Sequence, residues 1–234
     1  MDFSAFSGAA FWAALLSIIV ANILLSGDNA VVIALASRNL PAGQQKKAIF
    51  WGSAAAIILR VVLTITAAHL LTLPYLKIIG AILLVYIGVQ LMADSDDDAD
   101  MKAHSNVWGA IRTILIADLV MSLDNVIAVA AAVQKGPEET RLILLIVGLG
   151  LSIPLIIFGS TMLLKIMDRF PIIITLGAGL LGLLAGGMLV EDPAIHGPLQ
   201  AAMSDAQMIF EGLGVAIVLL LGTYLKKKGT KATP

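Results

Sequence analysis

The chain contains no cysteine, and histidine occurs only three times. The first absence excludes disulfides and thiolate metal sites. The second leaves little from which to build a zinc or copper centre of the usual kind. Charged residues amount to 13%, against about 25% in soluble domains, so roughly half the charge that would solvate a globular surface is missing. The net charge of −1 carries no basic excess, so nothing suggests a nucleic-acid partner. No nucleophile–base set, glycine-rich phosphate loop or haem ligand pair occurs, which argues against an enzyme.

What is present is hydrophobic: 59% of the residues, with a mean hydropathy of +0.96. Seven apolar segments stand out, at about 11–36, 48–71, 74–92, 108–133, 142–164, 171–190 and 208–225. As helices they are of the length that crosses a hydrocarbon core of about 30 Å. The first and fourth, at about 26 residues, would reach roughly 39 Å, so each must tilt, protrude or break. The N-terminus lacks a positive leader region and runs into a full-length span, which reads as a retained first helix.

Lysine and arginine set the orientation. With the N-terminus outside, Arg38, Lys46, Lys47, Lys102, Arg112, Lys165, Arg169, Lys226, Lys227, Lys228 and Lys231 fall on the cytoplasmic side. Only Lys77, Lys135 and Arg141 fall outside, and Arg60 lies in mid-span.

Two segments carry side chains that hydrocarbon tolerates poorly. "NILLSGDNAVVIALA", Asn22–Ala36, and "ADLVMSLDNVIAVAAA", Ala117–Ala132, overlay at an offset of 96. Asn22 then meets Asp118, Ser26 meets Ser122, Asp28 meets Asp124, Asn29 meets Asn125 and Pro41 meets Pro137. At an offset of 97, Pro74 meets Pro171 and Gly80 meets Gly177. Each unit contains three spans, and an odd number inverts the second unit relative to the first, as in many transporters. The expected fold is an all-α membrane protein of seven transmembrane helices, with the N-terminus outside and the C-terminus cytoplasmic. Residues 1–93 form a first three-helix repeat, 94–107 an acidic cytoplasmic linker and 108–192 the second, inverted repeat. Residues 193–234 hold an outer loop, a seventh helix without counterpart and a basic cytoplasmic tail.

A carboxylate at bilayer depth needs a partner, a proton or a cation. The two motifs together offer Asp28, Asp118 and Asp124, the amides of Asn22, Asn29 and Asn125, and the hydroxyls of Ser26 and Ser122. An all-oxygen set of this kind suits hard divalent cations such as Mg²⁺, Ca²⁺ and Mn²⁺ and repels anions. The bland alternative is a structural network between packed helices. On an ideal helix Asn22, Ser26 and Asn29 share a stripe, as do Asp118, Ser122 and Asn125, while each motif's own aspartate, Asp28 or Asp124, stands about 100° away. Both long helices are therefore expected to depart from regular geometry at the Asp-Asn pairs, more at Gly27-Asp28 than at Leu123-Asp124, where no glycine eases the backbone.

At these residues the chain resembles the TerC family of integral membrane proteins. The layout of three, three and one spans agrees, so the resemblance covers nearly the whole length. It implies membership of the LysE-like group of exporters, built from inverted three-span repeats. It also implies an association with manganese efflux in the cell membrane and, historically, with tellurium resistance. By resemblance Asp28, Asn29, Asp124 and Asn125 match the family's paired acidic motifs. Asn22, where the second repeat has Asp118, makes the site less acidic than full symmetry would. Tellurite, as an anion, is a poor match for carboxylates, so direct transport of it is not expected.

Arg60 reads as a counter-ion to one of the three aspartates, or as a tethered cation that occupies the carboxylates when no metal is bound. Glu211, about one turn into the seventh span, reads as interfacial or as a gate or proton acceptor. His69 reads as an interfacial polar residue, and His196, with Glu191 and Asp192, as an outer-loop group with a lesser reading as an exit-side metal contact. The linker "ADSDDDADMKAH" mimics the start of an EF-hand loop but has Met101 at the glycine position and Val107 at the bidentate glutamate position, so it reads as a solvated acidic segment. Ala178, Gly182 and Gly186 form a ridge for close helix packing, and Pro154 is expected to kink the fifth span.

The functional expectation is export of a divalent cation, Mn²⁺ by resemblance, by alternating access, with protons as counter-substrate. The metal is cargo, with no permanently bound cofactor, and a homo-oligomer in the bilayer is compatible with this. The alternatives are a non-transporting membrane partner in tellurium-stress or metal-insertion complexes, and an exporter of another small solute.

Overall fold

A computed structural model describes residues 8–24, 27–70, 73–93, 106–203 and 205–230. Ser26 and the linker residues 94–105 lie outside them, as do the side chains of His69 and Asp124. All regular structure among the described residues is helical: α1 (Ala9–Leu24), α2 (Gly27–Ser37), α3 (Ala42–Leu70), α4 (Leu76–Ala93), α5 (Val107–Gln134), a 3₁₀ turn (Glu138–Thr140), α6 (Arg141–Gly150), α7 (Ile153–Arg169), α8 (Ile172–Val190), α9 (His196–Ala202) and α10 (Ala206–Thr230).

Five stretches are individually long and apolar enough to cross a membrane: Ala42–Thr66, Leu76–Ala93, Glu138–Arg169, Ile172–Val190 and Ala206–Lys228. Two bent pairs raise the number to seven if each crosses as one span. The third of these stretches joins the 3₁₀ turn, α6 and α7, and Pro154 falls in the first turn of α7, where its missing N–H leaves no helical bond unmade.

Both long segments depart from straight helix near the Asp-Asn pairs, the first just before Asp28 and the second across Asp124-Asn125. The axes of Ala9–Asn22 and Gly27–Ser37 differ by 47°, and those of Val107–Leu123 and Ala128–Gln134 by 63°. The order of size is the reverse of the expectation from glycine content. Glycine makes a bend easy, but packing sets its size. α5 touches α1, α2, α3, α4 and α6, and neighbours on several sides can hold a bend that the local sequence does not favour.

The small-residue ridge brings α8 against α10 at backbone contact. A Cβ on Gly186 would stand 2.1 Å from the Phe210 carbonyl oxygen, and one on Gly182 2.4 Å from that of Gly214. In hydrocarbon, helices associate through such close van der Waals approach rather than through a hydrophobic drive. Elsewhere α10 leaves Met208, Leu213, Ile217, Leu220 and Tyr224 exposed, as a lipid-facing surface should. The main apolar core joins α1–α8, with α5 contributing Ile114, Ala117, Val120, Met121, Leu123 and Val129 to it.

Candidate functional site

The costly side chains fall into two groups. The first surrounds Arg60, which α3 carries into the centre of the molecule, 1% exposed. Its Nη1 donates to Asn22 Oδ1 (2.9 Å), its Nε to Ser122 Oγ (3.1 Å) and its Nη2 to Asp118 Oδ1. Ser122 Oγ in turn donates to the other carboxylate oxygen, Asp118 Oδ2 (3.3 Å), across one helical turn. Asn22 Nδ2 donates to Ser152 Oγ, which donates to Gly148 O (3.4 Å) in the turn before α7. A buried ion pair is tolerable when its remaining donors and acceptors are met, and here both Asp118 oxygens have partners. Of the three aspartates, the one Arg60 is bonded to is Asp118. Three residues expected as cation ligands, Asn22, Asp118 and Ser122, are held by the guanidinium.

The second group lies at the helix bends. Asp28 stands in the first turn of α2, where its Oδ1 accepts the Asn29 N–H at 2.7 Å and its charge meets the positive end of the helix dipole. It lies within electrostatic range of Arg60 and Asp118. Beside it opens a cavity of about 210 Å³ whose polar lining is Asp28, Asn125, Glu191, Gln207 and Glu211. Met121, Leu183, Leu184, Gly187 and Met188 supply the apolar wall. Gln207 Nε2 donates to Glu211 Oε1 (2.6 Å) on the next turn of α10. Gly187 makes room for this pair: a Cβ there would sit 3.1 Å from Gln207 Nε2 and 3.4 Å from Glu211 Oε1.

Thus Asp28 and Asn125, from the two sequence motifs, line one cavity, and Glu211 joins them from the helix outside the repeat. Asn29 is buried beside Asp28. Among the described residues no three His, Asp or Glu side chains stand close enough together to hold one ion. The cavity has oxygen acceptors and net negative lining, which suits a hydrated or partly hydrated cation better than an anion.

Where α8 ends, a third cluster is structural. Asp192 is fully buried and accepts four backbone N–H groups: Tyr75 (2.9 Å) and Ala194 (2.8 Å) on Oδ1, Lys77 (3.1 Å) and Ile78 (3.2 Å) on Oδ2. Burial pushes this carboxyl up, but the four donors prevail and hold it below the usual carboxylate range. The clamp fastens the start of α4 to the loop after α8 and supports Tyr75, whose φ of 66° is left-handed. Lys77 Nζ pairs with Glu191 Oε2 at 2.8 Å, and His196 Nδ1 lies 3.1 Å from the Val190 carbonyl. Asp192 and His196 are thus engaged by the protein itself, whereas Glu191, besides its bond to Lys77, also lines the cavity. The signal for a cap was present in "EDPA", since Asp before Pro favours a turn with a side-chain bond two residues on.

The integral membrane protein TerC family matches residues 7–230 of the chain. The membrane protein YjbE of Bacillus subtilis, itself uncharacterized, is 40% identical over 91% of this chain and 95% of its own length. The uncharacterized membrane protein YceF of the same organism is 27% identical over 74% of this chain and 69% of its own. The inner membrane protein YoaE of Escherichia coli is 24% identical over 80% of this chain but only 39% of its own. No solved structure matches. With apolar helices throughout, a cavity at paired helix bends and a family match over nearly its full length, the chain is a multi-pass membrane protein that belongs to the TerC family of integral membrane proteins.

Proposed function

We propose that the protein exports a divalent metal cation, Mn²⁺ before others, by alternating access between two inverted repeats, with Asp28 and Asp124 as the core ligands. The observation that carries this reading is the cavity at the bend of α1–α2. An aspartate from the first motif and Asn125 from the second face one space there, together with Glu191 and Glu211. Oxygen donors without thiolate or imidazole match the hard cations and leave zinc and copper without their preferred ligands. Asn22, Asp118 and Ser122, also expected as ligands, are bonded to Arg60 and do not line this cavity.

Protons are the proposed counter-substrate. No nucleotide-binding motif is present, and carboxylates in a low-dielectric cavity exchange protons readily. With the N-terminus outside, the cavity's Glu191 and Glu211 stand on the outer side of Asp28, on the way out. The test is flux in proteoliposomes, comparing Mn²⁺, Mg²⁺, Ca²⁺, Zn²⁺ and tellurite. Mn²⁺ uptake into inverted vesicles is expected and tellurite uptake is not.

A second reading, a non-transporting membrane partner, is favoured by the satisfied state of the Arg60 network, which would serve a scaffold equally well. The two part at Asp28. A scaffold tolerates the isosteric Asp28→Asn, and an exporter does not.

A further inference from the structure

The helices sort into two packed bodies. In the smaller one α4, α8 and α10 each touch the other two. α8 meets α10 at backbone level, and a Cβ on Gly88 of α4 would stand 3.3 Å from Leu181 Cβ of α8 and 3.1 Å from Val218 Cγ1 of α10. Asp192 and the Lys77–Glu191 pair fasten the start of α4 to the end of α8. The larger body holds α1, α2, α3, α5, α6 and α7, with α5 packed on α1, α2, α3 and α6, and α7 on α2 and α3. The Arg60 network joins α1, α3 and α5 of this body to Ser152, the residue before α7. Each polar cluster thus ties helices of one body.

The bodies meet where α4 packs on α5 and where α8 packs on α2 and α7. Glycine stands at two of these contacts. A Cβ on Gly80 of α4 would lie 2.8 Å from Val120 Cγ1 of α5, and one on Gly177 of α8 would lie 2.8 Å from Val31 Cγ1 of α2. Gly80 and Gly177 are the pair that overlays at an offset of 97. The cavity lies on the same seam. Asp28 and Asn125 reach it from the larger body, Glu191, Gln207 and Glu211 from the smaller.

We infer that the cargo moves when the α4–α8–α10 body shifts against the other six helices along these glycine contacts, opening and closing a cation site that the two bodies share. This rests on the export reading above and adds to it the moving parts. A site whose acidic groups come from two bodies can be tightened or loosened while each body keeps its own packing. At a glycine the helix presents no side chain to interlock, and van der Waals contact between apolar surfaces fixes register less firmly than hydrogen bonds do. The strong polar ties, Arg60 with Asp118 and Asp192 with its four backbone donors, lie inside the bodies and travel with them intact. α10, which has no counterpart in the repeat, carries Glu211 with α8 through the backbone contacts at Gly182 and Gly186.

The chain has no cysteine, so an introduced pair supplies the only thiols. Gly80→Cys/Val120→Cys spans the seam with its Cβ atoms 3.7 Å apart, within the range of a disulfide. Gly52→Cys/Ile114→Cys, at 3.6 Å, links α3 to α5 inside the larger body and serves as control. Mn²⁺ flux in proteoliposomes is measured for each protein reduced, oxidised and reduced again. The seam pair should carry Mn²⁺ when reduced, lose flux on oxidation and regain it with reductant, whereas the control should carry Mn²⁺ in both states. If the first seam pair fails to fold, Val31→Cys/Gly177→Cys takes its place, since a sulfur at the position of Val31 Cγ1 would stand 2.8 Å from the Gly177 Cβ.

Unchanged flux in a fully oxidised seam pair overturns the inference and leaves the export reading standing. Loss of flux on oxidation of the control also overturns it, because α3 and α5 would then have to part. Wild-type protein that moves no divalent cation overturns the export reading itself, and this inference with it.

Discussion

Arg60 on α3 and Asp118 on α5 form an ion pair whose side chains are 2% and 6% exposed, and the pair also takes in Asn22 from α1 and Ser122 from α5. It ties three spans together at the level of the bends. Removing one partner leaves a buried charge or a set of orphaned acceptors, so Arg60→Met should cost about 3–5 kcal/mol of stability. The charge-free pair Arg60→Met/Asp118→Leu should recover most of it, since apolar replacements of buried ion pairs are often neutral. Thermal unfolding in detergent for the two variants checks both halves. A double variant as unstable as the single would mean that the pair is not the unit that matters.

Asp192 gives the fold a sensitivity to acid. Its folded carboxyl lies below the usual range because four backbone N–H groups outweigh its burial, while the unfolded value is about 3.9. A depressed folded value contributes stability that is complete above the unfolded value and is lost as pH falls through the folded one. Asp192→Asn, which meets the same donors with one acceptor fewer, should lose about 1–3 kcal/mol at neutral pH. Melting curves from pH 7 down to about pH 3 should show wild type and variant converging at the acid end.

Glycines 186 and 27 should respond in opposite ways. A methyl on Gly186 would collide with the Phe210 carbonyl, so Gly186→Ala must push α8 from α10 and should destabilise by about 1–3 kcal/mol. A Cβ added to Gly27 would meet nothing within 4 Å, and its φ is not positive, so Gly27→Ala should fold as well as wild type. Comparing the two melting temperatures tests whether α10 is held by backbone contact.

Glu211 and Glu191 share the cavity but not the same partners. Glu191 is bonded to Lys77, whereas Glu211 receives the neutral amide of Gln207. Glu211→Gln removes the less compensated charge and should raise Mn²⁺ KM by about threefold to tenfold, with a smaller effect for Glu191→Gln. Equal effects would place the cargo's route elsewhere.

The spans and both bends are legible in the sequence, because depth in a bilayer is written in hydropathy and the cost of a mid-span carboxylate. Rotation about a helix axis is not written there. That Arg60 meets Asp118 rather than Asp28 depends on how α3 crosses α5, and Ser152 enters the network only because α6 ends beside α1. The size of the α5 bend is hidden for the same reason, since it answers to five neighbouring helices rather than to Leu123. Asp192 resembles a cation contact in sequence because an exposed-looking acidic loop conceals which backbone amides lie above it. Glu211 can be named from its depth in the seventh span. Its place beside Asp28 needs the contact between α8 and α10.

The central claim is that Asp28 and Asp124 supply the charge that balances a divalent cargo. The most direct test is Mn²⁺ flux in proteoliposomes containing purified wild type, Asp28→Asn or Asp124→Asn, each confirmed as folded by size-exclusion chromatography. Asparagine keeps the side-chain volume and removes one unit of charge, so each variant should lose Mn²⁺ flux almost completely while wild type retains it in modest excess of Mg²⁺ and Ca²⁺. Near wild-type flux in either folded variant would contradict the account.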